Sequence, residues 1–325
     1  MNTFYRYIVR NVFTAMLTFL SLAFVACGGD DVDEDAGGGA PGGSGSVSVN
    51  PANANANVVD GSGSSNRAIL RTEFPALHKG GNQKVLVYRT SSSTYDADGV
   101  NFSVEWDCDK RSQRWSCYQL HKGFSGRYSR VSDFYFDTKN LATDEYYSEY
   151  LFFPHYQRGH ICPSADRTAS SDLNSQTFVM TNMQPQYATF NGYSGDNNGL
   201  WLRMENIVRS WATSLSASDT IFVCKGGTID DEADIIERIG GKLIVPKYFF
   251  MAVLRKSSFG YAGMAFWSEQ TNTWRNGETL LSHAMSIDDL EKLTGIDFFC
   301  NLPDDVERQV EKTFVPSVWK DLDKK

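Results

Sequence analysis

Tyr156-Gln157-Arg158-Gly159-His160 sets an imidazole two residues from a guanidinium, and twenty-two residues beyond His160 the chain reads Asn182-Met183-Gln184-Pro185-Gln186. A run of asparagines, a tryptophan and an arginine follows, ending at Glu205 with Arg209 four residues on. These residue types supply a proton acceptor, oxygen donors for a cation and nitrogen donors for a phosphate. Phosphodiester hydrolysis needs that combination: an attacking water made nucleophilic, charge neutralised on the phosphorus oxygens, and help for the departing 3′ oxygen. A histidine is largely neutral near pH 7, so His160 can accept the water's proton, a role that contributes roughly 10²- to 10⁴-fold in rate. Arg158 beside it offers a planar, bidentate donor suited to phosphate. The other histidines, His78, His121, His155 and His283, have no such neighbourhood and read as surface or packing residues.

The elements that must position these groups are legible in part. Runs rich in β-branched and aromatic residues predict strands at Lys84–Arg89, Phe102–Trp106, Trp115–His121, Thr177–Asn182, Thr220–Cys224, Tyr248–Leu254 and Tyr261–Trp267. Leu200, Trp201, Met204, Ile207, Val208 and Trp211 recur at three- and four-residue steps, so one amphipathic helix is expected from about Asn198 to Ser214. Ser286 with Asp289 three residues on starts a short helix, Ile287–Thr294, that Gly295 stops, and Pro303–Thr313 is another. Strands interspersed with few helices and many hairpin-length loops predict an α+β fold with a central, mainly antiparallel sheet flanked by helices.

Taken in this order, the Arg-Gly-His triplet, the Asn-Met-x-Pro-Gln motif and the Asn…Trp…Glu helix resemble the DNA/RNA non-specific endonuclease family. These are the ββα-metal, or His-Me finger, nucleases, and the resemblance spans roughly Glu73 to Glu311. It implies that a ββα-metal motif sits on the sheet, with His160 as general base, Asn182 orienting the base or the ligand loop, and Arg158 and Arg209 neutralising charge at the phosphate. It implies a divalent cation, Mg²⁺ or alternatively Mn²⁺, held by one asparagine, which a hard ion that keeps most of its water shell tolerates. Counting five residues on from Gln186 gives Asn191 as that ligand, whereas counting back four from Trp201 gives Asn197. The insertion Gly-Tyr-Ser-Gly-Asp-Asn makes the counts disagree, and a loop placement for it favours Asn197. Glu205 lies eight residues beyond Asn197, about 12 Å of helix rise, so it would reach the ion through a water. An ordinary Glu205–Arg209 helix pair is the competing reading for the arginine. Where the family has Asp before the arginine, this chain has Gln157. Family behaviour implies cleavage of DNA and RNA, single- or double-stranded, to 5′-phosphate ends with little base preference.

Composition sets the context. Arg6 and Arg10 precede an apolar run to Ala26, which suits a secretory signal over residues 1–26. The Phe24-Val25-Ala26-Cys27-Gly28 segment resembles a bacterial lipobox, making Cys27 the expected lipidated terminus and the membrane a partner through that anchor. Residues 27–66 are Gly-, Ser-, Asn- and Asp-rich and predict a flexible tether, with an acidic start at Asp30, Asp31, Asp33, Glu34 and Asp35 that suits export to the outer membrane and its outer face. Residues 67–325 then form one catalytic domain. The net charge of −8 argues against a polyanionic partner if read globally. However, Lys110, Arg111, Arg114, Lys122, Arg127 and Arg130 form an acid-free stripe where phosphate contacts, Arg127 and Arg130 above all, are expected. Cys108 and Cys117 are the best candidates for a disulfide in an oxidising compartment. DNA and RNA are the expected substrates and no protein partner is expected. A catalytically weak nucleic-acid-binding surface protein and a small-substrate phosphodiesterase are the alternatives.

Overall fold

Apolar side chains on both faces of nearly every central strand demand a sheet covered twice, and a seven-stranded antiparallel sheet answers that demand. The computed structural model describes residues 53–59, 66–91, 94–126, 128–131, 133–147, 155–195, 197–214, 216 and 219–324, all within one compact unit, Val49–Lys325. The expected signal, Cys27, the acidic run and Arg127 lie outside the described residues.

The strands are β1 (Gln83–Arg89), β2 (Val100–Asp107), β3 (Ser112–Leu120), β4 (Gln157–His160), β5 (Met183–Gln186), β6 (Tyr193–Ser194), β7 (Asn197–Asn198), β8 (Thr220–Gly227), β9 (Ile235–Ile239), β10 (Leu243–Pro246), β11 (Tyr248–Ser257), β12 (Gly260–Glu269) and β13 (Ala284–Met285). The large sheet runs β1-β2-β3-β8-β11-β12-β13, every neighbouring pair antiparallel. The helices are α1 (Ser171–Gln176), α2 (Ala188–Asn191), α3 (Leu200–Ser214), α4 (Ile287–Thr294) and α5 (Asp304–Lys312).

Period-two alternation sorts the core into two layers. Leu86, Phe102, Val104, Tyr118, Ile221, Val223, Met251 and Phe266 pack under α3 with Trp201, Met204, Val208 and Trp211. Trp115, Cys117, Phe222, Cys224, Phe250 and Ala265 face the other way, onto Ile287, Leu290, Phe298 and Val310 of the C-terminal helices and their link. The fold is therefore α+β, a large antiparallel sheet flanked by helices. Ser286 caps α4 by accepting from the Asp289 N–H, and Gly295 closes it in the left-handed region at φ +68°.

Three expectations change. Thr177–Asn182 is not a strand: Thr177 turns the chain by bonding its hydroxyl to the Asn174 carbonyl, and a 3₁₀ turn at Met180–Asn182 delivers the chain to β5. Cys108 and Cys117 are free thiols, as are Cys162, Cys224 and Cys300. Their strand register explains it, since Cys108 packs in the layer under α3 and Cys117 in the opposite layer. Within the expected tether, Asn53 donates to the Leu302 carbonyl at 2.6 Å, Asn55 to Asp297 and Glu307 at 3.0–3.1 Å, and Asn57 to the Ile69 and Pro75 carbonyls. Among the described residues, Asn53, Asn55 and Asn57 thus already contact the domain, ahead of the expected domain start at residue 67.

The segment that Asn55 reaches is acidic. Burial and the surrounding carboxylates push Glu311 up to about 9, Glu291 to about 8 and Glu307 to about 7.

Candidate active site

Two short antiparallel strands carry the Arg-Gly-His and Met-Gln-Pro-Gln segments. β4 pairs with β5 so that Gly159 faces Gln184 and His160 faces Met183. Gly159 leaves room for the buried Gln186 side chain, whose Oε1 would lie 2.2 Å from a Cβ there. The following turn is pinned by Asn182, whose side chain is fully buried. Its Oδ1 accepts from the Cys162 N–H at 2.8 Å and its Nδ2 donates to the Cys162 and Thr177 carbonyls. Asn182 therefore fixes the backbone just past His160 and does not line the cleft.

His160 is 8% exposed and stands edge-on to Phe178, ring centroids 4.8 Å apart. The ring bonds the Arg158 backbone, while Nε2 is buried without a hydrogen-bond partner. Burial first, then the charges of Arg130 and Lys225, hold its pKa down to about 3. The imidazole is thus neutral throughout the physiological range, with the lone pair of Nε2 available to take a proton.

A cleft of roughly 460 Å³ opens beside it, walled by Arg130, Arg158, Asn191, Glu205, Asn206 and Arg209 among others. Arg158 lies over the Phe134 ring at 4.2 Å, and Arg130 over Phe178 at 5.0 Å while donating to Ser164 Oγ at 2.9 Å. On α3, Glu205 and Arg209 do not pair with each other. Arg209 Nε binds Asp166 Oδ1 at 2.5 Å, its Nη1 binds Asn206 Oδ1, and its Nη2 is buried without a partner. Glu205 Oε1 accepts from Lys225 Nζ at 2.6 Å, with side-chain exposures of 9% and 0%. Burial raises the Glu205 carboxyl and the Lys225 ammonium opposes the shift.

The insertion sits between α2 and α3 as a hairpin, β6 against β7, turning at Gly195 with φ +57°. The Gly199 N–H closes its base by donating to the Gly192 carbonyl at 2.7 Å. A Cβ on Gly199 would sit 2.1 Å from the Phe190 carbonyl oxygen, so only glycine permits this close approach. Pinching off the hairpin leaves Asn191 on the cleft wall, its Nδ2 donating to Gln157 Oε1 at 2.9 Å. Asn197, favoured by the count back from Trp201, is carried away on β7, and its Oδ1 accepts from Asn276.

The structure thus gathers His160, Arg158, Arg130, Glu205, Arg209 and Asn191, keeps Asn182 beneath them, and leaves Asn197 outside. The basic stripe divides. Arg130 reaches the cleft, but Arg114 is 4% exposed and bonded to Glu105, Asp107 and Asp230 at 2.9–3.1 Å, and Lys110 pairs with Asp230. Two residues that bond cleft side chains escaped sequence reasoning, Lys225 and Asp166. The first had a signal, a single charge inside the apolar strand Ile221-Phe222-Val223-Cys224-Lys225; the second had none.

A family model described as DNA/RNA non-specific endonuclease matches residues 81–305. A nuclease from Nostoc sp. is 28% identical over 229 residues, covering 65% of this chain and 75% of the relative. The mitochondrial nuclease EXOG of Homo sapiens is 26% identical over 217 residues, covering 62% and 56% respectively. Among solved structures, the EndoG/EndoGI complex aligns with a TM-score of 0.51 at 18% identity, over 67% of this chain and 87% of that one, a likeness of fold.

Two outcomes test this geometry. Lys225→Met leaves the Glu205 carboxylate buried and unpaired, so urea unfolding should lose about 3–5 kcal/mol, largely restored by adding Glu205→Gln; a loss below about 1 kcal/mol would contradict the pairing. For His160 the folded pKa is depressed, so its contribution is intact above the unfolded value near 6.5 and is lost as pH falls toward 3. Unfolding free energy measured from pH 7 to pH 4 should therefore fall more steeply in the wild type than in His160→Gln, and parallel curves would show the ring to be solvated.

Proposed function

The chain belongs to the DNA/RNA non-specific endonuclease family, and on that premise we propose that it is a metal-dependent nuclease that cleaves DNA and RNA with His160 as general base. The observation that carries the reading is the pair of buried, unpartnered donors and acceptors in one cleft, His160 Nε2 and Arg209 Nη2. A buried polar atom without a partner costs stability, so two of them on one wall suit a ligand that supplies both partners: a water for the ring and a phosphate oxygen for the guanidinium.

The donor set also fits a hard cation. Asn191 and Glu205 offer oxygen, Lys225 engages only Oε1 of the glutamate, and neither cysteine nor a second histidine lines the cleft. Mg²⁺ or Mn²⁺ held by Asn191, with Glu205 behind it, would supply Lewis-acid stabilisation of the phosphoryl and leaving oxygens. Asn191 is proposed over Asn197 because the hairpin leaves it on the wall with His160.

The chain's own residues then do the following. His160 Nε2 takes the proton of the attacking water, a transfer its neutral ring permits at pH 7. The hydrogen bond to the Arg158 backbone holds the other nitrogen, which fixes the ring's orientation. Arg209, aimed by Asp166, and Arg158, stacked on Phe134, present guanidinium donors to the phosphate as negative charge accumulates. Arg130, anchored by Ser164, extends that donor line along the backbone of the nucleic acid. Contacts of this kind go to phosphate, so base preference should be weak.

Incubation of the purified protein with plasmid DNA or with RNA in Mg²⁺ should degrade both, and EDTA or His160→Ala should reduce the rate by at least about 10²-fold. Asn191→Ala should be comparably inactive while Asn197→Ala retains most activity. Intact polymer at every ordinary pH in Mg²⁺ would instead mark a binding protein. We further propose that the protein is exported and lipid-anchored through Cys27 to the outer membrane. Cys27→Ser should move it from the membrane to the soluble fraction on fractionation, and unchanged partitioning would remove the anchor.

A further inference from the structure

On the face of the sheet opposite the cleft, the C-terminal helices bring carboxylates together. Asp288 and Glu291 stand three residues apart on α4, Glu307 and Glu311 four apart on α5, and Asp297 lies on the link between the helices. They form two overlapping triads, Asp288–Glu291–Glu311 and Asp297–Glu307–Glu311, in each of which one oxygen per residue lies within 4.8 Å of the others. Oxygens on opposite sides of a calcium ion at about 2.4 Å are about 4.8 Å apart, so each triad fits within one coordination sphere.

Glu311, common to both triads, is 7% exposed, and its Oε1 is buried with no hydrogen-bond partner. Glu307 is 4% exposed. Among the described residues none of the five acids enters an ion pair. Lys79 and Arg308 act on Asp297 and Glu307 only from beyond contact range. Asp297 and Glu307 hydrogen-bond each other, and the amide donors among the described residues are the Asn55 side chain, which bonds Asp297 Oδ2 and both Glu307 oxygens at 3.0–3.1 Å, and the Phe298 N–H, which bonds Glu291 Oε1 at 2.8 Å. Neither reaches Glu311. Buried carboxylates at this density need either protons or a cation among them, and the unpartnered Glu311 Oε1 between two triads leaves room for the cation; an all-oxygen set selects a hard ion over zinc or copper.

We propose that Asp288, Glu291, Asp297, Glu307 and Glu311 form a calcium-class divalent-cation site separate from the catalytic cleft. Calcium fits better than magnesium, because it accepts six to eight oxygens in irregular arrangements whereas magnesium demands a near-ideal octahedron and keeps its water. Asn55 bonds two of the ligands, so the ion would lock the 53–57 segment against both helices, and its effect falls on stability and leaves the chemistry of the cleft alone.

The test is calcium titration of the purified full-length protein by calorimetry, with thermal unfolding in Ca²⁺ and in EDTA. Wild type and Asn191→Ala should both bind Ca²⁺ and melt several degrees higher with it. Glu311→Gln, nearly isosteric, should bind at least about tenfold more weakly and lose the shift while still degrading nucleic acid in Mg²⁺. Asp288→Asn, on the more exposed side, should weaken binding in the same direction if Glu311→Gln folds poorly. Calcium uptake by Glu311→Gln and Asp288→Asn equal to that of the wild type overturns the site. So does a calcium effect abolished by Asn191→Ala, which would place the ion in the cleft. A wild type indifferent to calcium that Glu311→Gln merely stabilises would show that protons hold the carboxyls together.

Discussion

The Lys225–Glu205 ion pair joins the central sheet to the helix that walls the cleft, and the site's electrostatics follow from it. Lys225 follows Ile221 and Val223 on the same face of β8, so strand alternation alone directs it into the layer under α3. There it is fully buried, 4.5 Å from the Trp201 ring as well as 2.6 Å from Glu205. An ammonium in such a place is costly unless a carboxylate meets it, and a carboxylate on α3 would otherwise take up a proton. Each makes the other's charge tolerable. The same ammonium helps hold His160 neutral, so a single buried cation opposes protonation of two cleft residues, the glutamate and the histidine.

Much of this is legible in the sequence, and what is not has physical reasons. Long strands and the α3 stripe declare themselves by periodicity, because their burial is one-sided or continuous over many residues. β4, β9 and β10 are four or five residues long and carry no such pattern; the residues of β4 stand out for their chemistry and not as a strand. Thr177–Asn182 has strand composition, but side-chain bonds from Thr177 and Asn182 to nearby backbone override propensity there. Spacing names two asparagines and a loop placement of the insertion favours Asn197, yet Asn191 is the one on the cleft wall, because the outcome depends on where the hairpin closes. That closure is a contact between Gly192 and Gly199, a matter of backbone approach that residue counts do not encode. Asp166 was invisible for a related reason: its role comes from Arg209, forty-three residues away. The basic stripe is not a basic surface, because charge adjacent in sequence need not be exposed, and Arg114 is interior.

The distribution of charge resolves the apparent conflict between an acidic chain and a polyanionic substrate. At physiological ionic strength exposed charges are screened beyond about 8 Å, while packed layers of sheet and helix are separated by about 10 Å. The acidic helices α4 and α5 pack on the face of the sheet away from α3, so at least one full layer separates their carboxylates from the cleft. The cleft beside His160 therefore carries the local field of Arg130, Arg158 and Arg209, with Glu205 already matched by Lys225 and Asp166 by Arg209. Net charge governs solubility and long-range approach. What happens within a few ångströms of the scissile bond depends on which charges are paired and which are left open, and the cleft's acids are paired while one arginine nitrogen is not.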